Sequence, residues 1–450
     1  MNAILLLLIL TVVALATLGV LLFKPKLGLY LFLVFAPFSY YYAYLAVDPF
    51  AAGSLLQKST RDLFILALYL IWLFYFLVKK EMRLPVFRAS LVAVLFVGLA
   101  LLQTLRSIEL PGYNAFIGLR NAIEFIPLIL LVPIFFKKDK FGLENIFKIS
   151  IVCAILVALL GLYELYLSVV AFKTVNFLLA FDSFRIRSTL FNPNNLGYFQ
   201  ATMLLLLLGM YFRKEYFINK SWSQAACLLL FVSMLTSFSR GAMLGFLIGF
   251  AFLLIAANKV RTLMVIGLVS ALLVVAVNVC FPLALYRYYS IFEQGTQSHS
   301  LQGRMNSANS AAEQIANDPM ILLTGMGFDK VGSIVDVSAN SGDKESGKWL
   351  GQAAVSTDNY YVLLVMAGGL GALLIFLAII YVLIREAWQV ARSAADPFLK
   401  GLAGASGAIF VAYFIFGFTV DLWGTFPSNF YFWLLAGLLL AAKRLDRVAA

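Results

Sequence analysis

Long apolar runs separated by short polar connections fill almost the whole chain. A helix needs about 20 apolar residues to cross the hydrocarbon core, within a range of about 17–25. By that measure the pattern predicts thirteen spans, at 1–23, 27–46, 62–78, 89–104, 115–136, 147–172, 195–212, 223–238, 241–257, 262–285, 359–384, 401–421 and 429–442. The spans at 89–104 and 429–442 are the shortest. No basic residue precedes the first run, so it lacks the n-region of a signal peptide and is expected to be a true span. No connection is long enough for a separate catalytic domain, so 1–450 is expected to form one membrane domain. Its largest connection, about 286–358, holds a helix-forming stretch at 304–317 and a Ser/Gly/Asn-rich turn region at 335–348.

Charge orients this array. Alternate connections carry Lys24/Lys26, Lys79/Lys80/Arg83/Arg88, Lys137/Lys138/Lys140, Arg213/Lys214/Lys220, Lys259/Arg261, Arg385/Arg392/Lys400 and Lys443/Arg444/Arg447. Basic residues concentrate on the cytoplasmic side of membrane proteins. The expected topology therefore has the N-terminus outside, the C-terminus inside and 286–358 outside. Composition agrees with a polytopic membrane protein. Apolar residues make up 62% and charged residues 12%, against about 45–50% and about 25% in soluble domains. That excludes a soluble enzyme or a disordered chain. The net charge of +12 is a topological signal, not a sign of a nucleic-acid partner.

Candidate chemistry is limited by what the chain lacks. His299 is the single histidine, and it sits in what reads as a solvated loop, QSHSLQGR. The three cysteines fall in apolar runs, no D-x-D pair is present, and no Walker loop appears. No metal, cofactor or ATP-driven step is expected. The outer side, in contrast, holds arginines that outer loops usually avoid: Arg61, Arg106, Arg120, Arg185, Arg187, Arg240, Arg287 and Arg304. Guanidinium groups match phosphate geometry and keep their charge. Charges at a membrane boundary are costly unless they meet anions, and a lipid-linked phosphate or pyrophosphate is the simplest anion there.

Each candidate carries two readings. In DSFRIRSTLFNPNNLG (182–197), Arg185 and Arg187 share a face if the segment is extended. Asn192-Pro193 suits a helix start, and Asn194 and Asn195 add amides at its positive end. This is an anion or sugar cradle, or an ordinary capped helix with interfacial arginines. Arg240 in SFSRGAM holds phosphate in a tight turn or snorkels to headgroups. Arg120 and Glu124, four apart in one span, form a functional ion pair or a packing pair; Glu164 is a lone acid in the next span. Arg287, Arg304 and Asp358 frame the large loop. Asp358 could accept a proton from a sugar hydroxyl or cap the next helix. Tyr286, Tyr288, Tyr289, Tyr360 and Tyr361 read as belt aromatics or sugar-stacking rings.

Four segments in order, RIRSTLFNPNNLG, TSFSRGAMLG, GRMNSANSAAEQIANDPMILLTGMGF and DNYYVLLVMAGGLGALL, resemble the bacterial O-antigen polymerase and O-antigen ligase superfamily, the Wzy-type and WaaL-type membrane glycosyltransferases. The similarity covers about 182–384. The resemblance implies an all-α, GT-C-like fold in the cytoplasmic membrane with its active site on the outer face. It implies metal-independent transfer of a glycan from an undecaprenyl-pyrophosphate carrier. The carrier-linked glycan would be both donor and acceptor, membrane lipids would surround it, and a chain-length regulator is a candidate partner. Carried over by motif, the pyrophosphate-binding residues would be Arg187 (or Arg185), Arg240 and Arg304. Read from the residues themselves, Arg287, Asn192, Asn194, Asn359 and Arg120 are expected as further substrate contacts. Ligases of this kind carry His-Asn where this chain has Asp358-Asn359, and a Gly-x-x-Gly whose second position here is Ala372 after Gly369. The departure favours a polymerase with Asp358 in the catalytic set beside Arg240 and Arg304. A ligase that loads lipid A-core is the second reading, and a transporter or flippase the third.

Overall fold

The computed structural model describes residues 19, 23–46, 52–77, 87–106, 119–171, 185–261, 265, 299–328, 359–420 and 426–449. Among these the chain is helical throughout, with no strand. The helices are α1 (Pro25–Ala46), α2 (Ala52–Leu77), α3 (Arg88–Arg106), α4 (Leu128–Phe135), α5 (Lys140–Ala171), α6 (Pro193–Phe212), α7 (Lys220–Thr236), α8 (Arg240–Ala256), α9 (His299–Asn317), α10 (Tyr360–Ser393), α11 (Pro397–Phe416) and α12 (Ser428–Ala449). Of these, α3, α5, α6, α10 and α11 are long and apolar enough to cross a membrane, and α8 is a shorter apolar helix. The expected spans 1–23 and 262–285 lie almost wholly outside the described residues. His299, expected in a loop, is instead the first residue of α9.

One expected span is broken. Residues 119–123 are helical, 124–127 form a turn and α4 begins at Leu128. Pro127 supplies no N–H and disfavours helical geometry in the residue before it. The chain bridges the gap with tighter bonds, Ile126 N to Ile123 O at 3.2 Å and Leu128 N to Phe125 O at 3.0 Å.

The core of the bundle is built on α6 and α11. Residues 196–207 of α6 and 401–410 of α11 are buried without interruption. The run GLAGASGA at 401–408 is small-sided, which lets neighbouring backbones come close where lipid tails give helices no hydrophobic reason to associate. Against this core pack α8 and α10, while α4 pairs with α12. Outer faces remain apolar: Leu91, Leu95 and Leu102 on α3 are more than half exposed, as are Leu228 on α7 and Leu247 on α8. Such a belt needs a hydrocarbon solvent.

α10 is kinked at Gly369, whose φ of 70° and ψ of −174° lie in a region open essentially to glycine alone. The break frees helix carbonyls, and the tail of the preceding loop satisfies two of them. Met326 N donates to Met366 O at 2.7 Å and Gly327 N to Ala367 O at 3.0 Å. A Cβ at 369 would lie 2.6 Å from Leu323 O. Gly369→Ala is therefore expected to cost about 1–3 kcal/mol. Gly371→Ala, where the nearest neighbour is Leu99 at 4.0 Å, should leave stability unchanged or raise it slightly. Thermal unfolding of the two variants in detergent checks this; equal midpoints would mean that the seam does not depend on the kink.

The basic connections meet at one end of the bundle. Lys26 Nζ binds Asp139 at 2.6 Å and Lys140 Nζ binds Asp396 at 2.5 Å. Lys443 pairs with Glu386, Arg444 Nη1 donates to Pro133 O at 3.2 Å, and Ala395 N donates to Asp446 at 3.3 Å. The hydrogen bond from Lys26 holds the Asp139 carboxyl below the usual carboxylate range. For Asp396, burial acts in the opposite direction but is outweighed by the bonds from Lys140 and Leu399 N, so its carboxyl is also lowered.

Candidate functional site

At the opposite end, residues 185–195 form a ledge beside α7. Ile186 is buried, with its N–H on Thr236 O at 3.4 Å. The two flanking arginines have different environments. Arg185 is half-buried and engaged: Nε donates to Ser237 O at 3.2 Å and Nη2 to Asn194 Oδ1 at 2.8 Å. Arg187 is exposed, and among the described residues its guanidinium has no carboxylate partner. Its backbone is fixed from below: Glu164 Oε2 accepts from Arg187 N at 3.0 Å and from Ser188 N at 2.7 Å. Ser188 takes a φ of 51° there. Thr189 Oγ1 donates to Pro37 O at 2.7 Å, which ties the ledge to α1. The lone span acid Glu164 is thus a clamp on the arginine ledge.

Asn192 caps α6, its Oδ1 accepting from Asn194 N at 2.8 Å and Asn195 N at 3.4 Å, with Pro193 at the first helical position. Of the two readings, the capped helix is therefore the observed local structure. It also leaves the positive end of α6 beside the ledge.

The turn between α7 and α8 lies against this helix end. Ser237 and Ser239 are buried, and Arg240 opens α8 with its side chain exposed. Gly241 follows because any Cβ there would collide with Thr419 Oγ1 and approach Tyr198 OH. Those two hydroxyls are 3.0 Å apart. Thr419, at the end of α11, carried no signal in the sequence.

The start of α10 joins the same group. Tyr360 N donates to Gly417 O at 2.8 Å. Asn359 is the N-cap, its Oδ1 accepting from Tyr361 N at 3.0 Å and Val362 N at 3.3 Å. The capping role considered for Asp358 thus falls one residue later. Tyr360 and Tyr361 are not belt or sugar-stacking rings but are 0% and 9% exposed. Tyr360 meets Phe376 edge-on at 4.9 Å, and Tyr361 OH donates to Phe414 O at 2.5 Å. Asp358, Arg287, Tyr286, Tyr288 and Tyr289 lie outside the described residues. Arg304 is placed by backbone alone, on α9.

The expected Arg120–Glu124 ion pair does not form, because each side chain is taken by other partners. Arg120 Nη1 reaches across to both Asp62 oxygens, at 3.0 and 2.9 Å, while its Nε and Nη2 donate to Asn121. Glu124, with 1% of its side chain exposed, faces Arg61 Nε at 3.7 Å and accepts from Asn429 Nδ2. Burying such charges costs free energy that close pairing offsets, so this cluster fastens α2 to α12.

Three helix N-termini (α6, α8 and α10) and the arginines at 185, 187 and 240 therefore share one end of a helical membrane bundle, an arrangement suited to anions. Residues 225–377 match the family model Wzy_C, described as O-antigen ligase. This match supports the O-antigen polymerase and ligase superfamily, and with it a multi-pass membrane protein with O-antigen ligase- or polymerase-type function acting on lipid-linked glycans. No curated protein matches the chain.

Proposed function

We propose that the protein polymerises undecaprenyl-pyrophosphate-linked oligosaccharide repeat units at the outer face of the cytoplasmic membrane. One observation supports this reading: the four segments that resemble the superfamily, scattered from 182 to 384, form two directly bonded pairs, and residues 417–419 after α11 touch both pairs. Arg185 binds Ser237 O, Gly241 abuts Thr419 beside Tyr198, Gly417 accepts from Tyr360, and Met326 and Gly327 bind the kinked turn of α10. In the proposed reaction, Arg187, Arg240 and Arg304 hold the donor pyrophosphate. An acceptor sugar hydroxyl attacks the anomeric carbon, the bond from that carbon to the pyrophosphate oxygen breaks, and the hydroxyl proton passes to Asp358. The cations stabilise the charge that collects on the leaving pyrophosphate.

The family description favours a second reading, transfer to lipid A-core by the same displacement. Incubating the purified protein with lipid-linked repeat units separates them. A ladder of products is expected. A single larger product that requires lipid A-core would make the protein a ligase, and no covalent change would overturn both readings in favour of transport.

The proposed site also requires the arginine end to face outward. Single cysteines at Ser341 and Ala394 test this with an impermeant thiol reagent, in a background lacking the native cysteines. Ser341→Cys is expected to react in intact cells and Ala394→Cys only after permeabilisation. The reverse pattern would overturn the site assignment.

A further inference from the structure

At the basic end, far from the arginine ledge, four helix ends line an open pocket of about 320 Å³ formed by Arg213, Ala256, Asn258, Ala391, Arg392 and Lys400. Each cation comes from a different helix end. Arg213 is the C-cap of α6, Arg392 lies in the last turn of α10, and Lys400 lies in the first turn of α11. Arg213 Nη2 donates to Ala256 O at 3.3 Å and to Ala391 O at 3.4 Å, bridging the C-terminal ends of α8 and α10. The Arg392 guanidinium stacks 4.1 Å from the Trp388 ring centroid, which limits where its charge can sit. Asn258, at a φ of 57°, turns the chain beside them.

The pocket carries charge that is not neutralised locally. None of its lining residues is acidic. Among the described residues, Arg213, Arg392 and Lys400 form no salt bridge. The acids nearest Arg392 and Lys400 are already engaged, Asp396 by Lys140 at 2.5 Å and Glu386 by Lys443, and Glu215, two residues beyond Arg213, forms no salt bridge with any of the three among the described residues. Three cations around one cavity repel each other unless an anion sits among them. The positive-inside bias explains cations in these connections, but it requires neither that they converge on a cavity nor that the neighbouring acids pair elsewhere. Two guanidinium groups and an ammonium suit a tetrahedral oxyanion, and basic pockets between membrane helices are suited to phospholipid headgroups.

We propose that this pocket binds a phosphate group, supplied by the headgroup of an anionic phospholipid or by a soluble phosphate. Occupancy links the ends of α6, α8, α10 and α11.

The test uses the full chain in detergent, with native mass spectrometry to count retained lipid and thermal unfolding to read stabilisation. The probes are phosphatidylglycerol, phosphatidylcholine and inorganic phosphate. Arg392→Gln/Lys400→Gln removes two charges and leaves the Arg213 bridge intact; Lys400→Gln alone serves if the double variant does not fold. Lys220→Gln removes an exposed charge outside the cavity. The wild type is expected to retain phosphatidylglycerol over phosphatidylcholine, and the double variant to bind it roughly tenfold or more weakly. Lys220→Gln should match the wild type. Stabilisation by inorganic phosphate without lipid retention, lost in the double variant, would assign the soluble source. The proposal is overturned if neither probe binds the wild type, if the double variant binds like the wild type, or if Lys220→Gln weakens binding equally.

Discussion

Arg187→Ala, Arg240→Ala and Arg304→Ala are each expected to abolish detectable polymer while leaving protein levels near normal. Removing one preorganised group that stabilises developing charge typically costs about 10²–10³ in rate, and a polymer needs many successive transfers. The placement of Arg187 and Arg240 explains why folding should survive: both side chains are exposed. Lysine should rescue only partly, because a point charge cannot reproduce the two-pronged contact of a guanidinium. Arg185 supplies the contrast. Its guanidinium ties the ledge to Ser237 O and Asn194, so Arg185→Ala should lower the thermal midpoint as well as activity. Quantitative immunoblots, melting curves and product ladders on the same preparations check these outcomes. Normal ladders from all three variants would make these residues lipid anchors and remove the pyrophosphate site.

The helices were legible because the bilayer imposes a length and an apolar composition on each span. Runs such as 195–212 and 401–421 therefore reappear nearly unchanged as α6 and α11. Capping was legible at Asn192, where an Asn-Pro pair leaves little choice. It was ambiguous at Asp358-Asn359, since both residue types cap well and only the geometry assigns the role to Asn359. Pairings between helices left no trace in spacing. Arg120 looked paired with Glu124 because one turn of helix would join them, yet residues distant in sequence supply closer partners for both. Asp62, 58 residues away in sequence, became the partner. The glycines of 368–371 suggested a motif in uncertain register. The kink identifies Gly369 as the one that adopts a backbone conformation closed to other residues, with the loop residues 326 and 327 as its reason. Thr419 could not have been singled out, because its contact with Tyr198 depends on how α6 and α11 pack.

With the cap assigned to Asn359, Asp358→Asn becomes a cleaner experiment on the proposed chemistry. The substitution keeps size and hydrogen-bonding capacity, removes the carboxylate and leaves the helix cap in place. If Asp358 accepts the proton of the attacking hydroxyl, polymer formation should fall by about 10²–10⁴, the range a general base contributes, with an unchanged melting curve. Asn359→Ala should show the opposite signature. It removes acceptors used by Tyr361 N and Val362 N, costs about 0.5–2 kcal/mol of stability, and reduces turnover only as far as the start of α10 loosens. Asp358→His adds a third point, because imidazole can also accept a proton near neutral pH. Activity retained by His but lost by Asn would support a proton acceptor at that position. Full activity in the Asn variant would remove Asp358 from the mechanism and leave the attacking hydroxyl to be activated by another group or by solvent, with the arginines still serving the leaving pyrophosphate.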